Sequence, residues 1–375
     1  MGGNPLIRCE RFSPANQLVF LLGMFERLRC GVIGTGACGL AQLSSLLHCP
    51  QATAVAIAES HPKRAKEAAD RYRLSRSYTR YRDLLDQPDV DAVLVAVPND
   101  QHLQVVIDAL TARKHVLLEP PLALTVKEAT RMIEVARKTK RVFMVAQGLR
   151  LNRQTQLARQ VIERGDLGEI YHARAFWVRR AGIPRIGSWY TQRRYSGGGC
   201  LIDLGARILD ACLYLLGGFE VKAVSAVASA RFGPRGLGES GWGGGEIDPK
   251  RPFDVEDFGA ALLRLSGGRT LMLETAWASQ VGSEVREQGI DFWGTKAGLS
   301  LYPARLFRSG DSGHETVNLN LPLAWEDEDP VHHFVRSVIE GRRPLVGLEE
   351  SLQLQRIVAA CYASAAAGKE IKLEG

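Results

Sequence analysis

The chain has 375 residues, 24% charged and 45% hydrophobic, with a formal net charge of +7. That length suggests two domains with a substantial core, and the balance excludes disordered and fibrous classes. No apolar run is long enough to span a bilayer, and seven cysteines without C-x-x-C or Cys/His ligand spacing point to reduced thiols in a cytosol and to no metal site.

Residues 1–27 read as an N-terminal extension. Leu18 to Phe25 is apolar and follows Arg8 and Arg11, faintly like a signal peptide, but it is short and lacks a small-residue cleavage site or twin arginine. Met24 sits just before the first strand, so the extension is expected to be dispensable or mis-assigned and the protein cytoplasmic.

Residues 28–150 read as a dinucleotide-binding domain. The apolar run Leu28 to Ile33 meets Gly34-Thr35-Gly36-Ala37-Cys38-Gly39, a helical stretch follows, and a second strand from Ala54 to Ala58 ends on Glu59. In such a unit Gly34 allows the tight turn, Gly36 lets backbone approach a pyrophosphate, and Gly39 lets the helix pack close to the strand. The helix N-terminus offers N–H groups and a positive dipole end to the phosphates. Glu59 lies 20 residues past Gly39, where a ribose-binding acid is expected, with a solvent-facing strand end as the plain alternative. A carboxylate there favours NAD by repelling a 2′-phosphate, while Ser60, Lys63 and Arg64 keep NADP open.

The alternation continues. Pro62 opens a helix to about Arg73, Asp91 to Val97 is an apolar strand stopped by Pro98-Asn99, and a helix runs from about Gln101 to Ala112. His115 to Leu118 is a strand ending at Glu119-Pro120-Pro121, Thr125 and Glu128 fit a capping box, and Arg141 to Ala146 gives one more strand. This predicts a doubly wound parallel sheet of Rossmann type, with the turns at Gly34, Glu59, Pro98 and Glu119 converging on one crevice. Arg71, Arg73, Arg76, Arg80 and Arg82 cluster, but acids interrupt them and no nucleic-acid motif surrounds them, so a solvated basic face is expected.

Residues 151–375 read as an α+β domain with a mostly antiparallel sheet. Extended runs are expected at 170–179, 221–230, 258–265, 270–279 and 289–293. Gly197-Gly198-Gly199 opens an amphipathic helix from about Leu201 to Leu216, Gly233 to Gly245 is a surface loop, and a helix from about Leu348 to Ala367 is placed to pack back on the first domain.

Together these motifs resemble the glucose–fructose oxidoreductase and inositol dehydrogenase family, Gfo/Idh/MocA, from about Leu28 to the C-terminus. The resemblance rests on the turn from Gly34 to Gly39, Pro98-Asn99 with His102, His115 to Glu119, the run Gly197 to Gly205, Asp254 to Asp257 and the closing helix. It implies NAD or NADP, a sugar, cyclitol or related polyol as substrate, and often a homo-oligomer built on the second domain's sheet. It also implies cofactor contacts at Pro98, Asn99, His102 and Glu119; for His102, a packing role is the plain alternative.

Two positions break the pattern. The resemblance implies Glu-Lys-Pro where the chain reads Glu119-Pro120-Pro121, and Pro120 carries neither a charge nor an N–H. It also implies Asp followed four residues later by His, whereas Asp203 is followed by Arg207. Histidine exchanges a proton near neutral pH; arginine cannot. Residues at i and i+4 share a helix face, so Asp203 as base and Arg207 as orienting group are the catalytic candidates, with Tyr190 or Tyr195 as relays and an ordinary helix ion pair as the plain alternative. A sugar or polyol dehydrogenase is the first reading. A cofactor-dependent lyase or glycosidase without net redox change and a non-catalytic sensor are the others. Trp177, Trp189 and Trp277 are expected as core or wall, Cys200 as a buried filler, and Asp254, Glu256 and Asp257 as structural.

Overall fold

Strand β1 (Leu28–Ile33) is apolar at nearly every position and buries all of them, leaving only Arg29 exposed. Such a strand must be covered on both faces. In the computed structural model, which describes residues 27–243, 247–248, 250–310, 313–319 and 327–373, it lies mid-sheet. Expectations for residues 1–26 and for part of the glycine-rich loop fall outside the described residues.

The first unit alternates as expected: α1 (Ala37–Leu47), β2 (Ala52–Ala58), α2 (Pro62–Tyr72), β3 (Ser77–Tyr78), α3 (Tyr81–Leu85), β4 (Ala92–Val95), α4 (His102–Thr111), β5 (His115–Leu118), α5 (Val126–Thr139) and β6 (Phe143–Val145). The six strands are parallel in the order β3-β2-β1-β4-β5-β6. The winding reverses between β1 and β4, and at such a switch point the carboxyl ends of the strands open a crevice. Thr125 caps α5 by accepting from the Glu128 N–H, as the capping box requires, while Glu128 reaches back to the Leu124 N–H. The two-residue strand β3 was not expected, because so short an edge carries no periodicity. Nor is the arginine cluster purely a solvated face: Arg76 pairs with Asp89, Arg80 with Asp83 and Arg82 with Asp108.

Short helices α6 (Gly148–Leu151) and α7 (Arg153–Glu163) lead into the second unit. Its nine-stranded sheet comprises β7 (Ile170–Val178), β8 (Val221–Ser229), β9 (Phe258–Leu265), β10 (Thr270–Ala276), β11 (Gln288–Gly294), β12 (Gly298–Leu301), β13 (Arg305–Gly310), β14 (Gly313–Asn318) and β15 (Ile371–Lys372). The order is β14-β13-β12-β11-β7-β10-β9-β8-β15, antiparallel except between β7 and β10. Sequence patterning misses β12 to β15; β13 and β14 are mostly exposed, so no buried alternation marks them.

Short α8 (Arg193–Ser196) precedes the glycine run. The helix expected from Leu201 is two elements: a π turn at Leu201–Gly205, then α9 (Ala206–Leu215). A π turn inserts an extra residue and rotates the face that follows, and such turns recur at functional sites. Helix α9 packs on the inner face of the sheet, with Ile208, Leu209 and Leu213 in its core.

The last helices, α10 (Pro330–Ile339) and α11 (Leu348–Ala367), stitch the two units together. Val331, Phe334 and Leu352 join the core of the first sheet, whereas Leu354, Ile357 and Cys361 join that of the second. At the junction Arg150 is fully buried, forked onto Asp210 of α9 at 2.7 Å through both Nε and Nη2, and it also donates to Glu350 of α11. Among the described residues no helix is long and apolar enough to cross a membrane. Replacing Arg150 with alanine leaves Asp210 buried without its counter-charge and should cost about 3–5 kcal/mol of stability, read by denaturant unfolding; a loss within surface-mutation range would deny the junction this role.

Candidate functional site

The site begins where β1 ends. Gly34 has φ +92, and a Cβ there would meet the Ala96 carbonyl oxygen at 2.3 Å, so the turn is pressed against the end of β4. A Cβ on Gly39 would lie 2.0 Å from the Gly34 carbonyl oxygen. Gly36 differs: its φ is −69 and a Cβ would meet nothing within 4 Å. The protein itself does not need glycine there; the space belongs to the cleft. Helix α1 starts at this space with no acid in its first turn and no side-chain cap, so its first N–H groups are open to an anion. The cradle fits a dinucleotide pyrophosphate.

Thr35, Ala37, Cys38 and Glu59 surround the cradle. Glu59 is only 5% exposed and is no solvent-facing strand end. Its Oε2 accepts from the Thr35 N–H and hydroxyl, its Oε1 from the His61 N–H and from Arg64 at 2.6 Å. Burial alone would raise its pKa, but these bonds outweigh that and hold it low. Ala37 and Cys38 line the cleft. Burial, then the nearby Glu119 carboxylate, push the Cys38 thiol up to about 11, so it is no nucleophile at neutral pH.

The remaining cofactor candidates arrive from β4 and β5. Pro98 lines the cleft, and Asn99 is buried and donates to the Ser196 carbonyl at 2.8 Å, bridging the two units. His102 is buried between the Val97 and Pro121 carbonyls, at 3.1 and 3.0 Å. Burial lowers its pKa to about 4, so the ring is neutral and its single N–H serves one of the two carbonyls. It braces two turns of the cleft against each other. Glu119 accepts from Gln42 of α1 at 2.7 Å and from Arg207 at 3.0 Å.

Asp203 and Arg207 do share the cleft wall, but they are not each other's main partner. Arg207 is 3.7 Å from Asp203 and nearer to Glu119. Burial works against its charge, yet the Glu119 and Asp203 carboxylates prevail and raise its pKa. Asp203 Oδ2 is fixed by the Trp277 indole N–H at 2.8 Å. A continuous polar chain, Gln42–Glu119–Arg207–Asp203–Trp277, therefore crosses the floor of a cleft of about 390 Å3.

Tyr190 lines this cleft, and burial followed by Cys38, Asp203 and Glu119 raises its pKa, keeping the phenol neutral. Tyr195 does not line it and lies under Arg194 instead. Trp177, Trp189 and Trp277 are all wall, joined by Trp242, which sequence reasoning missed because it sits in the glycine-rich loop. Cys200 is fully buried against Thr275. Asp254, Glu256 and Asp257 accept backbone N–H groups, from Arg193, from Gly199 and Leu201, and from residues 231–233 respectively. Among the described residues no group of three His, Cys, Asp or Glu side chains is placed to hold a metal.

A six-stranded parallel sheet with an anion cradle at its switch point, joined to a largely antiparallel sheet that closes the same cleft, defines the class of dinucleotide-binding oxidoreductases. The family described as "Oxidoreductase family, NAD-binding Rossmann fold" matches residues 28–147, and the GFO/IDH/MocA C-terminal domain matches residues 155–300. The chain is 32% identical over 363 residues to a D-glucoside 3-dehydrogenase of Escherichia coli K12, covering 92% of this chain and 97% of that one. A levoglucosan dehydrogenase of Pseudarthrobacter phenanthrenivorans is 33% identical, over 65% of this chain and 66% of its own. Among solved structures, a levoglucosan dehydrogenase in complex with NADH and L-sorbose superposes with a TM-score of 0.81 at 25% identity, covering 93% of this chain and all of that one. The protein belongs to the Gfo/Idh/MocA oxidoreductase family, and its parallel sheet is an NAD-binding Rossmann fold.

The glycines separate binding from folding. Gly36→Ala should leave the melting temperature unchanged while weakening NADH by about tenfold or more, equivalent to at least about 1.4 kcal/mol. Gly39→Ala, which collides with backbone, should lower stability by about 1–3 kcal/mol. Thermal unfolding alongside NADH fluorescence titration checks both; equal melting losses would mean that Gly36 serves the turn and not the ligand.

Proposed function

We propose that the protein is an NAD-dependent dehydrogenase acting on a hydroxyl of a sugar, cyclitol or related polyol, with residues 28–150 holding the cofactor and residues 151–375 supplying the substrate wall. The observation that carries this reading is the position of Asp203 on the cleft. Oδ2 is pinned by Trp277, while Oδ1 faces Arg207 Nε at 3.7 Å and makes no hydrogen bond among the described residues. The relatives named above are dehydrogenases of a D-glucoside and of levoglucosan, which supports a sugar hydroxyl as the target. The resemblance implied Lys at 120 and His at 207; with Pro and Arg there, acceptance of the hydroxyl proton falls to Asp203.

The bound nicotinamide supplies the acceptor for the hydride. The chain supplies the rest. Arg207, immobilised by Glu119, keeps its charge and steers a substrate oxygen without exchanging a proton. Tyr190, neutral at the working pH, offers a hydroxyl to the same oxygen. The four tryptophans narrow the cleft and exclude water.

Glu59 and Arg64 bear on the choice of dinucleotide. The Glu59 carboxylate repels a 2′-phosphate and keeps Arg64 occupied, which favours NAD over NADP. The reading also includes a cytoplasmic homo-oligomer. Val227, Trp293 and Phe307 remain exposed on the sheet face turned away from α9, the kind of apolar surface that a second copy covers.

A second reading, binding without turnover, draws on one observation: the cleft floor holds Arg207 and Pro120 where the resemblance implied proton-handling groups. Asp203→Asn discriminates. NADH formation from methyl glucoside, levoglucosan or myo-inositol should fall by about 100- to 10,000-fold, with NADH affinity unchanged. A wild-type protein that binds NADH yet oxidises none of them, nor a hexuronate such as methyl glucuronide, would hand the case to the second reading. Glu59→Ala, which frees Arg64, should weaken NAD and strengthen NADP in fluorescence titrations; an unchanged ratio removes Glu59 from cofactor choice.

A further inference from the structure

We propose that the substrate is an acidic sugar, and that Arg179 receives its carboxylate; this rests on the dehydrogenase reading above and narrows its substrate class to hexuronates and their glycosides. Arg179 is the first residue past β7, and its N–H donates to the Ala276 carbonyl at 3.0 Å, at the end of the parallel neighbour β10. The next residue, Trp277, holds Asp203. Arg179 and the carboxylate assigned as base therefore grow from one wall.

The side chain lines the cleft, with its guanidinium 5.3 Å from the Trp177 ring centroid and 5.7 Å from that of Trp242. Its stem is fixed over Gly182, where a Cβ would stand 2.5 Å from Arg179 Cδ. Ring contacts engage the flat faces of a guanidinium and leave its in-plane N–H groups to find acceptors. Among the described residues none accepts from them. The other cleft arginines are committed: Arg64 to Glu59 and Arg207 to Glu119. A half-buried cation without a counter-charge costs free energy that an anionic ligand recovers.

The geometry favours a carboxylate over a phosphate. One guanidinium matches one carboxylate through two parallel hydrogen bonds, whereas a phosphate dianion calls for a second uncompensated cation, and the charges of Arg64 and Arg207 are already balanced by Glu59 and Glu119. Arg179 and Asp203 line the same cleft, so a sugar whose carboxylate reaches the arginine can also present a hydroxyl to Asp203.

The test is calorimetric titration of the full-length protein saturated with NADH, using methyl β-glucuronide, methyl β-glucoside and glucose 6-phosphate. Wild type, Arg179→Gln and Arg179→Lys are compared, and NADH formation from NAD is followed with the same sugars. The glucuronide should bind wild type about tenfold or more tightly than the glucoside. Arg179→Gln should erase that preference by weakening the glucuronide by the same factor, about tenfold or more, with glucoside and NADH affinities unchanged. Arg179→Lys should keep part of the preference, because the charge stays while the fork is lost. Equal binding of glucuronide and glucoside to wild type, or an Arg179→Gln loss shared by both, would overturn the inference; tighter binding of the phosphate would overturn the carboxylate. Arg179-dependent glucuronide binding without NADH formation from any sugar would uphold the acidic ligand and sink the dehydrogenase reading. Oxidation of the glucoside alone would do the reverse.

Discussion

The bond between Arg207 and Glu119 is the constraint on which the cleft depends. One partner rises from α9 on the second sheet and the other ends β5 of the first, so their 3.0 Å contact sets the distance between the two halves of the site. Both are substantially removed from water, at 27% and 19% exposure. Burying either charge alone costs several kcal/mol by effective estimates, so each requires the other. Gln42 extends the tie to α1, the helix that forms the anion cradle. The dinucleotide cradle and the substrate wall are thereby one polar assembly and not two neighbouring surfaces.

That assembly works only if α9 is itself immobile, and it is held at its entrance and at mid-helix. At its entrance Glu256 accepts from the Gly199 and Leu201 N–H groups and from the Tyr362 hydroxyl, replacing the hydrogen bonds that a helix start leaves open. Gly199 allows this approach, since a Cβ would fall 1.8 Å from the Glu256 carbonyl oxygen. At mid-helix the Arg150–Asp210 fork fixes α9 to the junction between the sheets, and the Glu350 contact adds α11. The acidic run expected to be structural is a set of backbone anchors. Its carboxylates point at N–H groups, and this orientation keeps the π turn carrying Asp203 in register with the cleft.

Much of the cofactor half was legible from residues alone. Parallel strands buried on both faces must be nearly continuously apolar, and β1, β4 and β5 are, apart from Arg29 and His115. The glycine turn needs a particular residue type at particular steps, so Gly34, Gly36 and Gly39 announce themselves by spacing. The fates of Glu59 and His102 were not legible, because their partners lie on separate turns: Thr35 and Arg64 for one, Val97 and Pro121 for the other. Strands β13 and β14 were hidden for a different reason. They are exposed, and exposure erases the alternation by which a strand is recognised.

The division between sequence and tertiary structure follows from the range of the interactions involved. Periodicity, capping and glycine placement act over a few residues, so the main strand–helix alternation of the first unit, the dinucleotide turn and the family were determined by the sequence itself. The pairing of Arg207 with Glu119 in preference to Asp203 spans 88 positions of the chain, and that of Trp277 with Asp203 spans 74. Spacing on one helix pointed to the Asp203–Arg207 pair, but a carboxylate brought in from the other sheet approaches the guanidinium more closely. Only the packed structure could decide that contest, because burial in a shared cleft makes the nearer counter-charge prevail.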